Sequence, residues 1–110
     1  MSKKIEFKYQ DENYCLEYSR DAIKAMELQG FNYQEFYNKP MLMTDMLFEG
    51  AFIKNHKTIK RAKIQEIYEN LQNKTGLVSV LIDMVKESYE ELFADGEEND
   101  DSKNTEWKIV

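Results

Sequence analysis

Cys15 and His56 are the only cysteine and the only histidine in the chain, so nucleophilic chemistry would have to begin with them. A thiol becomes an effective nucleophile when a base takes its proton and a third group orients that base. The two fall in different settings, Cys15 within an alternating apolar stretch and His56 among lysines. A small half-buried thiol and a surface histidine are therefore expected, with no catalytic dyad. One cysteine and one histidine do not make a thiolate–imidazole zinc site, and a single cysteine forms no internal disulfide. The four glycines stand at positions 30, 50, 76 and 96, which leaves no phosphate-cradling loop and no dinucleotide fingerprint. Asp95, Glu97, Asn99, Asp101 and Glu106 match oxygen-ligand positions of a calcium loop. Its glycine is misplaced, however, with Gly96 second in the run where the loop needs one sixth. No enzymatic activity, cofactor or metal is expected.

Charge is distributed unevenly. The net charge of −6 over 110 residues includes −4 from residues 94–110, where six acids face Lys103 and Lys108. Lys54, Lys57, Lys60, Arg61 and Lys63, by contrast, form a basic segment with no acid among residues 54–63. An acidic chain can bind nucleic acid through such a patch, but its overall field opposes polyanions. A helix-turn-helix over residues 54–71 would also turn Glu66 and Glu69 toward phosphates. Protein carboxylates, including those of the chain's own tail, suit the segment better. A small nucleic-acid-binding regulatory protein is the alternative.

The elements that must position these residues follow from periodicity. Ile5, Phe7 and Tyr9 alternate with polar residues, as do Tyr14, Leu16 and Tyr18, and Asp11-Glu12-Asn13 lies between them. This pattern predicts an antiparallel hairpin, with Cys15 on the face opposite Tyr14 and Leu16. Ser19 is placed to cap a short helix with the stripe Ala22, Ile23 and Met26, and Gly30 to end it. Phe31, Tyr33, Phe36 and Tyr37 crowd a connecting stretch that reaches Lys39-Pro40, where proline suits a helical first turn. Residues 41–53 are apolar around most of a helical circumference, which predicts a central helix. From about Thr58, Ile64, Ile67, Tyr68 and Leu71 share one face of a further helix. Residues 73–76 read as a break, and residues 77–93 as a last helix. The predicted class is α+β, mainly α: an N-terminal hairpin and about four helices in one domain, residues 1–93, followed by an acidic tail, residues 94–110.

The tail ends in Trp107-Lys108-Ile109-Val110, which holds the only tryptophan. A charged tether with an apolar end suits docking on another subunit or partner. It also suits a return to the open hairpin edge. Met41, Met43 and Met46, with Phe48 and Phe52, could line an adaptable protein groove, as methionines do elsewhere. Partner binding is therefore expected at Met41, Met43, Met46, Phe48, Phe52, Trp107, Ile109 and Val110. No apolar run reaches the length of a membrane span, and Met1-Ser2-Lys3-Lys4 does not open a secretory signal. A cytoplasmic protein is expected.

The order of these segments carries a resemblance. Residues 18–31 (YSRDAIKAMELQGF), Lys39-Pro40, residues 47–52 (LFEGAF), the acidic tail and the tryptophan segment follow one another. The chain resembles small tail assembly chaperones encoded by long-tailed bacteriophages and prophages of low-GC Gram-positive bacteria. The resemblance covers nearly the whole chain. It implies a non-enzymatic role in the host cytoplasm during virion assembly, coating the tape measure protein and helping to recruit tail tube protein. No extension domain is visible in the sequence, so the chain is expected to correspond to a short form or to a family member that lacks the longer product. A homo-oligomeric assembly component is a further expectation.

Overall fold

Ile5–Tyr9 (β1) and Glu12–Leu16 (β2) pair antiparallel, with Ile5 opposite Leu16, Phe7 opposite Tyr14 and Tyr9 opposite Glu12, in the computed structural model, which describes residues 3–92 and 106–110. The domain boundary expected at residues 93–94 and the calcium-loop positions Asp95, Glu97, Asn99 and Asp101 lie outside the described residues. The turn is formed by Gln10 and Asp11, both at positive φ (49° and 67°). A two-residue connection of this kind matches the twist of the strands it joins. Glu12 and Asn13 thus belong to β2, where the sequence suggests a turn. The shorter turn sets Phe7 against Tyr14 and brings the apolar residues of both strands onto the core side. Their rings stack with centroids 5.3 Å apart.

Ser19 caps Arg20–Leu28 (α1) as expected, its hydroxyl accepting from the Ala22 N–H at 3.0 Å. Asp21 adds negative charge to the first turn. The helix ends when Gly30 takes φ +108°. Phe31 N–H then reaches the Met26 carbonyl, and Gly30 N–H the Glu27 carbonyl. This is the paired closure that commonly buries a residue beyond a helical C-terminus, and Phe31 and Met26 are both buried. Phe31 also meets Phe36 edge-on, from a 3-10 turn at Tyr33–Phe36 that the Asn32 side chain caps. The aromatic linker is therefore packed, apart from Tyr37.

Pro40–Gly50 (α2) starts on its proline and occupies the centre of the domain, touching α1, the 3-10 turn, Arg61–Asn70 (α3) and Lys74–Glu91 (α4). Met43, Leu47, Phe48, Ala51 and Phe52 join Leu16, Ile67, Leu81 and Val85 in one core. Helix α3 begins at Arg61, three residues beyond the expected restart, and buries Ile64 and Ile67. Helix α4 begins at Lys74, where the sequence suggests a break. Asn73 adopts a left-handed conformation (φ 54°) and its side chain accepts from Gly76 N–H. An asparagine can hold this geometry and cap at once, so residues 74–76 form the first helical turn.

Candidate interaction surfaces

The hairpin brings Cys15 and His56 together, although 41 residues separate them. Cys15 N–H donates to His56 Nε2 at 3.0 Å, while Asn55 Nδ2 donates to the Cys15 carbonyl at 3.2 Å and to Glu17 at 3.0 Å. Glu17 N–H adds a bond to the Ala51 carbonyl. The segment after α2 thus seals the outer edge of β2. The imidazole is half-buried against Tyr14 and Phe52, at 5.1 and 6.0 Å between centroids, and is not the surface histidine expected. Its acceptor nitrogen is occupied by a backbone amide, so it is not available to take a thiol proton in this arrangement. The Asn55 bond holds the Glu17 carboxyl below its usual range against desolvation, with help from Lys54. Replacing His56 by alanine removes a bond and ring packing together. A loss of about 1–2 kcal/mol is expected, read from urea unfolding.

The basic segment is largely matched by the fold's own acids. Lys54 pairs with Glu17 at 3.3 Å and Arg61 with Glu49 at 3.0 Å. Lys63 pairs with Glu66 at 3.1 Å, bonds Gln10 at 2.8 Å and lies over the Tyr9 ring. Lys57 and Lys60 are exposed, with no such partner among the described residues. Burial raises the Glu49 carboxyl, opposed by Arg61. Glu49 lines a cleft of about 180 Å³ between α2 and α3, below the 300 Å³ or so of an ordinary small-molecule site.

A wider, open groove of about 700 Å³ runs between α4 and the end of α1 with the 3-10 turn. Four of its lining residues partner one another in two pairs. Tyr89 O–H donates to Glu27 at 2.6 Å, and desolvation, then that bond, pushes the phenol up to about 12. Lys86 lies 5.8 Å from the centre of the Tyr33 ring. Among the described residues, no group of three or more His, Cys, Asp or Glu side chains could hold a metal ion. No helix there is long and apolar enough to cross a membrane.

Burial divides the expected partner-binding residues. Met43, Phe48 and Phe52 lie in the core and present no surface, and Met84 is buried with them. Met46 is half-buried against that core. These corrections have one cause: four elements wrap the middle of α2, so its apolar residues are consumed by folding. Met41 remains 84% exposed because it shares a helical row with Asp45 and Glu49. Leu42 is 50% exposed, and Tyr37, one turn earlier, is 98% exposed. Tyr37 and Leu42 are additions to the sequence-derived set. The apolar-on-polar-row position of Met41 was the available signal. Trp107, Ile109 and Val110 are also exposed, so the return of this segment to its own hairpin is not seen.

In this hairpin-plus-helices domain large apolar side chains stay exposed at Leu28, from Tyr37 to Leu42, at Val80 and Leu92, and in the tryptophan segment. The chain belongs to the family described as "Domain of unknown function (DUF5055)", which matches residues 1–110. No curated protein and no solved structure matches it.

Proposed function

We propose that the protein is a non-enzymatic tail assembly chaperone of a long-tailed phage or prophage, binding the tape measure protein in the host cytoplasm. The observation that carries this reading is the exposure of Tyr37, which closes the 3-10 turn before α2, and of Met41 and Leu42 in the first turn of α2, beside a core that is already filled. A methionine and a tyrosine offer adaptable and rigid apolar contact respectively. Such a pair suits the apolar stripe of a long client helix. The resemblance of residues 18–31, 47–52 and the tryptophan segment supports the same role, with tail tube protein as a second partner.

Co-expression with the tape measure protein encoded nearby, followed by size-exclusion chromatography, tests it. The wild type should co-elute with its client and keep it soluble. Changing Tyr37 and Met41 together to aspartate should weaken capture about tenfold or more while leaving the circular dichroism unchanged. A folded wild type that never retains the client, or capture indifferent to these changes, would refute the proposal.

A further inference from the structure

The two edges of the hairpin are treated differently. Cys15 turns its N–H and C=O away from β1, toward His56 and Asn55. Its cross-strand partner Glu6 therefore turns its own pair away from β2, and so does Lys8 two residues on. Among the described residues, no group bonds to these outward backbone positions. Ile5, Phe7 and Tyr9 are only half-buried, since the sheet ends beside them. An open edge with partly covered apolar side chains is a template for another strand.

We propose that residues 106–110 of a second copy add to this edge as an antiparallel third strand. The segment has the required period, with Trp107 and Ile109 alternating with Glu106 and Lys108. Setting Trp107 opposite Phe7 places Ile109 opposite Ile5, Glu106 opposite Lys8 and Lys108 opposite Glu6. Both charge pairs are then favourable, and both fall where the outward backbone groups of β1 await partners. Trp107 and Phe7 become a non-hydrogen-bonded pair, the kind in which side chains approach most closely.

Charge selects this register. A two-residue slip one way sets Glu106 against Glu6, and a slip the other way sets Lys108 against Lys8. Parallel pairing around Phe7 and Trp107 makes both contacts like-charged. A one-residue slip turns Trp107 to the polar face.

The occupant is a second copy because the single chain leaves the segment exposed, with Trp107 at 84% and Ile109 at 89%. The connection spanning residues 93–105 can reach about 45 Å when extended, enough to cross to a neighbour. Reciprocal exchange gives each copy one donated and one received strand, a closed twofold dimer. The proposal concerns the purified chain alone and does not depend on the client.

Light scattering coupled to size-exclusion chromatography across a concentration series should show a dimer, reduced to a monomer by Trp107→Ala. Glu6→Lys alone and Lys108→Glu alone should each weaken the dimer about tenfold, through like-charge contacts. The two together should restore it. Hydrogen exchange at the Glu6 and Lys8 amides should be slowed in the wild type and fast in Trp107→Ala. A wild type that stays monomeric overturns the proposal, including one with slowed exchange, which would mean docking within one chain. A dimer unaffected by Trp107→Ala, or single variants not rescued in the double, overturns it as well.

Discussion

Phe52→Ala is expected to lower the unfolding free energy by about 3–5 kcal/mol, the usual cost of truncating a buried aromatic. Phe52 is 1% exposed, with its ring 5.0 Å from Phe48, 6.0 Å from Tyr14 and 6.0 Å from His56. It therefore joins the helical core to the hairpin and to the histidine that seals β2. Small domains are stable by only about 5–15 kcal/mol, so the variant should lose a large share of its stability. Urea unfolding should show a lower midpoint with little change in slope. Met41→Ala, at an exposed position, should stay within about 0.5 kcal/mol of wild type. The opposite pattern, with Phe52 dispensable and Met41 structural, would mean that the partition of α2 into core and surface is wrong.

That partition shows where sequence reading reached its limit. An all-apolar helix signals burial somewhere, and the central position of α2 follows from it. Which faces are covered depends on how α1, α3 and α4 pack, and this is set by contacts distant in sequence. Local chemistry was more legible: Ser19, Gly30 and Pro40 act within one turn of themselves, and each performs the expected task. Asn73 misled because a residue suited to left-handed turns can also cap a helix. The hairpin turn misled in a similar way, since Asp11-Glu12-Asn13 looks turn-like until strand register is counted. Cys15 and His56 had no local signal that would bring them together. Their contact exists because the chain leaving α2 runs along β2.

The surface follows from the same packing. The fold's acids take up Lys54, Arg61 and Lys63, so the basic segment reinforces joins between elements. Exposed apolar side chains then stand at Leu28, Val80 and Leu92, around the start of α2 and in the tryptophan segment. The start of α2 and the tryptophan segment are separate in the chain, so the client proposed for one and the second copy proposed for the other would not compete for the same residues.

Tyr18→Phe is expected to cost about 1–3 kcal/mol at neutral pH, with an additional signature at high pH. The Tyr18 hydroxyl is buried and donates to the Leu47 carbonyl. At the end of α2, Ala51 N–H bonds to Phe48 and Glu49 carbonyls and leaves the Leu47 carbonyl to the phenol. Phenylalanine keeps the ring and removes the donor, leaving that carbonyl with no replacement. Burial also raises the Tyr18 pKa well above 10, the value expected in the unfolded chain. As pH rises past about 10, the unfolded state loses this proton while the folded state retains it. The unfolded state then binds fewer protons, so stability falls by about 1.4 kcal/mol per pH unit from this residue. The contribution is complete below pH 10 and declines above it. Tyr18→Phe should therefore start lower but lose stability less steeply between about pH 10 and 11, where Tyr89, held near 12, still adds its own decline. Parallel alkaline slopes in the two proteins would show that Tyr18 ionises as readily in the fold as outside it, and that its hydroxyl is not sealed against Leu47.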